Sequence, residues 1–277
     1  MNKIKLLIIL LVLTVACEQK EQRELVEKIS NNETFSYVKE RAKEIIKTGF
    51  NAGDGYGEVW IRDYNTFIEL SAEVYEAETI EENLLVFFRL QGDDGNIIDG
   101  FIPKEKAVET EGGYQYIYAD LEPHYCGHKN TVETDHETSL VQAVYKYIKK
   151  TGNHDFLNTQ VGDKTVIDRM EWAMEFLLQH RWSDQFELIY GATTADWGDV
   201  QHTHPWGVYL TDDTKFCVDI YDNAMLVIAL NNLIELDPAK ALRWQPICDA
   251  LKTSIMKTLW DSKNQKFIPH VYLDGSP

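Results

Sequence analysis

The segment 223–236 constrains the fold of this 277-residue chain most strongly, because its side chains are apolar on nearly every side. Residues 224–230 read Ala-Met-Leu-Val-Ile-Ala-Leu, with no charged position among them. A helix that lacks a polar face has to be buried by other elements on all sides. The sequence therefore predicts a helix in the interior of a larger helical domain.

Further segments show the 3.6-residue period of amphipathic helices. They are 35–47, 64–76, 80–90, 137–149, 166–179 and 239–259, and Pro246 is expected to bend or restart the last. Amphipathic and more apolar segments alternate along the chain, as expected of helical hairpins with buried inner helices and half-exposed outer helices. Only short β-like pieces appear, at 114–118 and 267–273, and both fall in connections. The predicted fold class is all-α.

The first residues indicate export from the cytoplasm. Lys3 and Lys5 are followed by an unbroken apolar stretch, 6–13, which is too short to span a bilayer and is typical of a signal peptide. The small residues before Cys17 resemble a lipobox, so we expect lipid attachment at Cys17. The alternative is an ordinary secretory signal in which Cys17 is incidental.

This interpretation divides the chain into three parts. We expect a lipoprotein signal peptide at 1–16, a flexible polar tether at 17–33 and one folded domain at 34–277. The predicted location is the periplasm or the cell surface, with the lipid holding the protein on a bacterial outer membrane.

The charge balance restricts the partners. Lysine and arginine number 27 against 45 aspartate and glutamate residues, which argues against binding to nucleic acid or to an anionic surface. Contact with the membrane is therefore expected only through the lipid. A neutral oligosaccharide or polysaccharide is compatible with this balance. Beyond Cys17 the cysteines are Cys126, Cys217 and Cys248, and no disulfide is assigned among them.

The motif Trp60-Ile-Arg62-Asp63 lies where a loop enters a predicted helix. An arginine fork beside a carboxylate matches the paired hydroxyls of a sugar, and the nearby indole offers a stacking face. The alternative is that Asp63 caps the helix and Arg62 forms an ion pair.

A second motif, Asp196-Trp197-Gly-Asp199, lies in the long connection after the fifth predicted helix. Glycosidic cleavage needs one carboxylic acid and one carboxylate, and a carboxyl partly desolvated beside tryptophan has a raised pKa. Either Asp199 or Asp196 therefore suits the role of general acid, and the other is expected to cap a turn.

Polar residues also stand at the starts of two predicted helices. Glu133, Asp135 and His136 precede one of them, where they either bind sugar hydroxyls or belong to a capping box. Tyr221 and Asn223 open the other and could reach a sugar, with Asp222 as a possible cap.

No cofactor or metal is expected. The histidine groups are His124-x-Cys126-x-His128 and His202-x-His204, and neither has further ligands at zinc spacing.

The Trp-x-Arg-Asp motif resembles the corresponding segment of glucoamylase-type enzymes in glycoside hydrolase family 15. The Asp-Trp-Gly-Asp motif resembles the acid loop of related families, including the cellobiose phosphorylases. These resemblances, which cover about 35–277, imply the six-hairpin glycoside hydrolase superfamily (glucoamylase, trehalase and glucosidase-like) and its (α/α)6 toroid. They further imply that Arg62 and Asp63 hold the terminal sugar of the non-reducing end and that Trp60 lines the pocket.

By the same resemblance, Asp199 is the general acid, with Asp196 as the alternate and Trp197 beside them. The expected activity is an inverting hydrolysis of an oligosaccharide. The chain accounts for about seven of the twelve helices of such a toroid, so we expect an N-terminal part whose general base lies further along. The alternatives are a non-catalytic glycan-binding lipoprotein, an inactive truncated relic, and a glycoside phosphorylase.

Overall fold

The computed structural model describes residue 20 and residues 22–53, 55–109, 115–192 and 208–275. It divides into two compact units, Met1–Gly49 and Phe50–Pro277. In the first unit, residues 22–30 are helical and are followed by helix α1, Glu33–Ile46. Asn32 caps α1 by accepting hydrogen bonds from the amides of Thr34 and Phe35 at 2.9 and 3.3 Å. Within the described ranges, no helix combines the length and the apolarity needed to cross a bilayer.

The second unit is built around six further helices. They are α2 (Ile61–Ser71), α3 (Ala77–Arg89), α4 (His136–Thr151), α5 (Val166–His180), α6 (Ile220–Leu236) and α7 (Ala241–Thr258). Helix α4 packs against both α2 and α6, α6 packs against α7, and α5 packs against α4 and α6. Short 3-10 turns lie at Lys104–Lys106, His154–Asn158 and Pro238–Lys240. Helix α7 runs through Pro246 as one continuous element.

The core follows from the apolar faces of these helices. Leu140 and Val144 of α4, Leu226 and Leu230 of α6 and Tyr64 of α2 are all completely buried. Complete burial of one such aliphatic side chain contributes about 1.5–3 kcal/mol. Helix α6 is not buried on every side, however, because Ile228 is 45% exposed and the polar Asn231 and Glu235 are exposed as well.

The connections between helices fold into antiparallel sheets. One four-stranded sheet has the order β1-β2-β4-β3, from Val59–Trp60, Gly100–Pro103, Glu122–His128 and Ile117–Ala119. Another has the order β12-β9-β8-β7, from His270–Tyr272, Phe216–Asp219, Leu188–Ala192 and Trp182–Ser183. Two hairpins complete the set, β5 (Gln160–Val161) with β6 (Lys164–Thr165), and β10 (Trp260–Asp261) with β11 (Lys266–Phe267).

The prediction of an all-α (α/α)6 toroid is therefore wrong, and the chain has a mixed α and β fold. In the described parts of the connections between α3 and α4 and between α5 and α6, backbone donors and acceptors pair in strand ladders, as buried backbone groups require. The pairs Gly100–His128 and Val218–Tyr190 are examples from the two larger sheets. These ladders bury Phe101, Leu188 and Val218, so the strands are part of the core.

Candidate functional site

A pocket opens where the starts of α2, α4 and α6 meet the ends of β8, β9 and β12. It is lined by Arg62, Val132, Glu133, Thr134, Asp135, Ala192, Cys217, Asp219, Tyr221, Asp222 and His270. Strand β1 leads directly into α2 and strand β9 directly into α6, so both helices begin beside a sheet. This arrangement places the polar residues of three helix starts around one cavity.

Two helix starts use their aspartates differently. Asp219 caps α6 in the ordinary way, since its Oδ1 accepts a hydrogen bond of 2.7 Å from the amide of Asp222. Asp135 occupies the equivalent position of α4, but its side chain makes no capping bond. Its carboxylate is therefore available to the pocket.

The carboxylate of Asp135 is held by Arg62 in a bidentate pair. Arg62 Nε donates to Oδ2 at 2.7 Å and Nη2 donates to Oδ1 at 2.8 Å. Nη2 also lies 2.5 Å from Oε1 of Glu133. All three side chains are almost completely buried. A planar guanidinium fork fixes both the position and the orientation of the carboxylate that it binds.

Burial and charge act in opposite directions on this cluster. Burial acts to lower the pKa of Arg62, but the hydrogen bonds and negative charges of Asp135 and Glu133 have a larger effect and raise this pKa above its ordinary value. Burial also acts to raise the pKa of Asp135, yet the Arg62 guanidinium holds it below its usual range. Asp135 is therefore ionised at neutral pH. Tyr221 donates from its hydroxyl to Asp135 Oδ2 at 2.8 Å, and burial followed by the charge of Asp135 raises the pKa of this phenol.

Beneath the pocket a second chain of contacts runs through two histidines. His136 is completely buried, and its Nε2 hydrogen-bonds with Oε2 of Glu133 and lies 3.5 Å from Asp99 Oδ1. The other oxygen of Asp99 lies 3.4 Å from Nδ1 of His128. Burial raises the pKa of Glu133. Burial also acts to raise the pKa of Asp99, but the hydrogen bond with His128 and the charges of His136 and His128 outweigh this effect, so the pKa of Asp99 is lowered.

Asp99, Glu133 and His136 are the group in the described part of the chain that could hold a metal, with ligand atoms within 4.8 Å of one another. Carboxylate and imidazole donors suit zinc and similar ions. Two observations favour a hydrogen-bonded network instead. Glu133 already bonds to both His136 and Arg62, and a positive guanidinium beside a ligand opposes the binding of a cation.

Asp222 differs from the other carboxyls of the pocket. Burial, followed by the charges of Asp219 and Asp135, raises its pKa well above the ordinary value. Strand β8 leaves room for its side chain at Gly191, where a Cβ would lie 3.0 Å from Asp222 Oδ2 and 2.9 Å from Thr134 Oγ1. Folding thus favours the protonated form of Asp222 in the same pocket in which it favours the ionised form of Asp135.

The predicted site residues are distributed over three kinds of place. Arg62, Glu133, Asp135 and Tyr221 line the pocket, and His136 lies directly behind Glu133. Asp196, Trp197, Asp199 and Cys17 lie outside the described residues. The remaining three residues, Trp60, Asp63 and Asn223, are not among the residues that line the pocket in the described part of the chain.

Each of those three has a different environment. The ring of Trp60 contacts Tyr56 and the edge of His128, with centroid distances of 4.9 and 6.4 Å. Asp63 is half-buried in the first turn of α2. Asn223 is completely buried and joins α6 to β8, since its side chain bonds with both the amide and the carbonyl of Ile189 at 2.9 Å.

Sequence reasoning overlooked Asp99, Asp219 and Asp222 as site residues. A capping role for Asp222 was one of the alternatives, but Asp219 has that role. A signal for this exists in the sequence, because two aspartates three residues apart at a helix start leave one of them free for other contacts. Asp99 has no such signal, since it lies in a turn far from its partners along the chain.

Comparison with known proteins supports the fold but does not identify a family. No protein-family model matches the chain, and no curated protein matches it. Among solved structures, the chain is similar to a GH78 family rhamnosidase of Bacillus sp. GL1, with 18% sequence identity and a TM-score of 0.54. The match covers 78% of this chain and 19% of the rhamnosidase chain, so the protein spans about a fifth of that structure. The chain therefore has a fold similar to part of a glycoside hydrolase, and the glucoamylase and trehalase families are not identified by these matches.

Proposed function

We propose that this chain is part of a glycoside hydrolase and that the pocket at the starts of α2, α4 and α6 binds the terminal sugar of an oligosaccharide. The observation that carries the proposal is that one pocket is lined by two carboxyls in contrasting environments, Asp135 held by the Arg62 guanidinium and Asp222 placed near two other carboxylates. The pKa of Asp135 is lowered and that of Asp222 is raised. Glycoside hydrolysis needs a protonated and an ionised carboxyl near one sugar, and contrasting environments supply them.

In this proposal the sugar is held by one hydrogen-bond acceptor and one hydrogen-bond donor. The ionised Asp135 accepts hydrogen bonds from sugar hydroxyls, and the protonated Asp222 donates one. Arg62 acts indirectly, because its Nε and Nη2 are already bonded to Asp135. It is a positioning residue rather than the group that grips the sugar. The resemblance implies that Arg62 and Asp63 hold the terminal sugar. In this proposal Asp135 holds it instead, and Arg62 and Tyr221 position Asp135.

The general acid remains a proposal based on the sequence motif. Asp199, with Asp196 as the alternate, carries the resemblance to the acid loop of related hydrolases. Hydrolysis with inversion at the non-reducing end belongs to the same proposal. The fold similarity to a rhamnosidase supports a hydrolase of O-glycosyl bonds and adds rhamnosides to the substrates worth testing.

We also propose that the protein is exported and attached to a bacterial outer membrane by lipid at Cys17. The support is the basic start, the apolar stretch 6–13 and the small residues before the cysteine. A signal peptide at 1–16, a tether at 17–33 and a catalytic domain from residue 34 are the corresponding division. Metabolic labelling with a palmitate analogue tests it, and Cys17→Ser should abolish the label.

The function is tested by assaying the longest purified product of the reading frame on α- and β-linked glucosides, mannosides, rhamnosides and trehalose, since the proposal places the general base further along the protein. Released sugar measures hydrolysis, and calorimetry measures binding. We expect turnover of at least one glycoside, and we expect Asp199→Asn to reduce it about 10²–10⁴-fold, as loss of a general acid does. Asp222→Asn should weaken sugar binding. The matched control is Asp249→Asn, whose side chain is 61% exposed on α7.

Three outcomes are distinct. Hydrolysis that survives in Asp249→Asn and is lost in Asp199→Asn supports the proposal. Binding without hydrolysis indicates the non-catalytic glycan-binding alternative. A chain that neither binds nor hydrolyses any member of the panel contradicts the proposed function.

A further inference from the structure

A second groove lies apart from the pocket. The end of α3, the β3–β4 hairpin, the β5–β6 hairpin and the first half of α5 border an open groove of about 560 Å³. No described residue lines both this groove and the pocket. Its lining includes the cations Arg89, Lys164 and Arg169 and the carboxylates Asp93, Asp120 and Asp163. Gln91, Tyr118, Gly162 and Trp172 complete the floor and walls used below.

The floor of the groove contains a buried arginine without an ion-pair partner. Arg169 is 4% exposed. Its Nε donates to the carbonyl of Val161 at 2.8 Å, and its Nη1 donates to Oε1 of Gln91 at 3.1 Å. Among the described residues, no carboxylate forms an ion pair with it. A buried charge is normally paired, since leaving it without a counter-ion is costly.

Other arginines show that this arrangement is unusual for the chain. Arg62 is paired with Asp135, and Arg89 with Glu122. Acidic groups are abundant, at 45 against 27 basic residues, so the missing partner does not reflect a shortage of carboxylates. Arg181 is also buried without a carboxylate, but it ends α5, where the helix dipole favours a positive charge.

Arg169 lies at the opposite end of the same helix. Helix α5 begins at Val166, so Arg169 is in its N-terminal turns, where the dipole disfavours a cation. Burial lowers the pKa of Arg169 as well. Burial and the helix dipole both raise the free energy of the charged side chain. A bound anion in the groove would lower that free energy.

Among the described residues, the hydrogen bonds of this arginine are made by Nε and Nη1, and its Nη2 lies beside the turn at Gly162. Gly162 forms the tight turn between β5 and β6 with φ of +64°, and a Cβ there would lie 3.2 Å from Nη2 of Arg169. A side chain at this position would cover the guanidinium. The wall beside it carries Trp172, over whose ring Lys164 Nζ lies 4.9 Å from the centroid.

We infer that this groove is a second binding site, for a sugar residue that bears a carboxylate. Arg169 Nη2 supplies the positive charge for the carboxylate, and Trp172 supplies an apolar surface for the sugar ring. Lys164 stands beside them but already pairs with Asp163 at 3.3 Å, so it is not counted as a ligand. A uronic acid has both features. The inference does not depend on the chemistry proposed for the pocket, because the two sites have no described residue in common.

The inference is tested by calorimetric titration of the full chain with glucuronate, glucose, acetate and inorganic phosphate at constant ionic strength. We expect saturable binding of glucuronate, weaker binding of acetate and no binding of glucose at this groove. Arg169→Gln should weaken glucuronate binding about 10- to 100-fold, which corresponds to one charge-assisted hydrogen bond. Arg243→Gln is the matched control, since its side chain is 50% exposed on α7 and should leave binding unchanged.

A second variant protects the test against a folding defect, because Arg169 also ties α5 to Val161 and Gln91. Trp172→Ala leaves the arginine in place and should remove the preference for glucuronate over acetate. Tighter binding of phosphate than of glucuronate would replace the sugar by a phosphate ligand and overturn the inference. The inference also fails if no anion binds saturably, or if folded Arg169→Gln binds glucuronate as tightly as the original chain.

Discussion

Replacing Arg62 by methionine tests whether the pocket is organised by a buried charge cluster. Arg62 donates two hydrogen bonds to Asp135 and contacts Glu133, and the three side chains are only 9%, 1% and 3% exposed. Methionine has a similar length and no charge. Two carboxylates would then remain in the interior without a cation, while Asp135 would keep only its bond from Tyr221.

The expected loss is large for a single substitution. Removing one partner of a buried ion pair costs about 3–5 kcal/mol in free energy of unfolding. Whole domains have about 5–15 kcal/mol, so Arg62→Met should lose a substantial part of the total. With a urea dependence of about 1–3 kcal/mol per molar, the unfolding midpoint should fall by roughly 1–5 M. Urea titration followed by tryptophan fluorescence and circular dichroism at pH 7 measures this shift.

The matched control is Arg243→Met. Arg243 also pairs with two carboxylates, Glu171 and Glu175, but half of its side chain is exposed to solvent. Exposed pairs contribute about 0–1 kcal/mol, so the control should differ little from the original chain.

The loss in Arg62→Met should also depend on pH. The folded pKa of Asp135 is lowered, so its contribution is present above the unfolded value and disappears as pH falls through the folded value. Without Arg62 the carboxyl of Asp135 should instead be protonated more readily in the folded state. The difference between Arg62→Met and the original chain should therefore narrow between pH 7 and about pH 4. A loss equal to that of Arg243→Met, or a difference that does not change with pH, would refute the reasoning.

Other perturbations test further parts of the same network. Glu137→Gln removes the buried charge that accepts from Lys129 Nζ at 2.8 Å, and it should lower the free energy of unfolding by about 1–3 kcal/mol in urea titrations. Because the pKa of Glu137 is lowered, that deficit should stay constant down to the unfolded value of about 4.3 and shrink below it, and a deficit that persists at lower pH would contradict the assignment. Asn223→Ala removes the side chain that bonds with the amide and the carbonyl of Ile189. It should lower the free energy of unfolding by about 1–3 kcal/mol for each group, measured by thermal unfolding. An unchanged melting temperature would show that α6 and β8 are joined by other contacts.

The helices were predictable because their signal is local. A residue's place on the buried or exposed face of a helix follows from positions three and four residues away, which the sequence displays directly. The segment 166–179 became Val166–His180, and 80–90 became Ala77–Arg89. The start of α2 was placed three residues too late, at 64 instead of Ile61, because strand β1 leads into it without an intervening loop.

Apart from the β-like pieces at 114–118 and 267–273, the strands were not predicted, because the sequence pattern of a strand this short is weak and its partner is distant in the chain. Most have two to five residues, too few to show an alternating pattern. Their partners are distant in sequence, as in the pairing of His270 with Asp219. A strand of this kind is stable only when its partner is already in place, so the mixed α and β class depends on tertiary contacts.

In the pocket, too, the residues themselves could be predicted from local sequence, whereas their contacts could not. Residue type and position at helix starts were sufficient to select Arg62, Glu133, Asp135 and Tyr221, and all four line the pocket. Their partners were not predictable. Arg62 was expected to act with its neighbour Asp63, but it pairs with Asp135, 73 positions away.

The sequence by itself determined where helices form and which polar side chains stand at their starts, because both are encoded in a few adjacent residues. Only the tertiary structure decided which of those side chains meet, which are buried and which carboxyl keeps its proton. Asp135 and Asp222 are chemically identical residues at two helix starts, yet one pKa is lowered and the other raised. The physical reason is that a pKa depends on solvent exclusion and on charges brought near by folding, and neither is a property of the residue or of its neighbours in the chain.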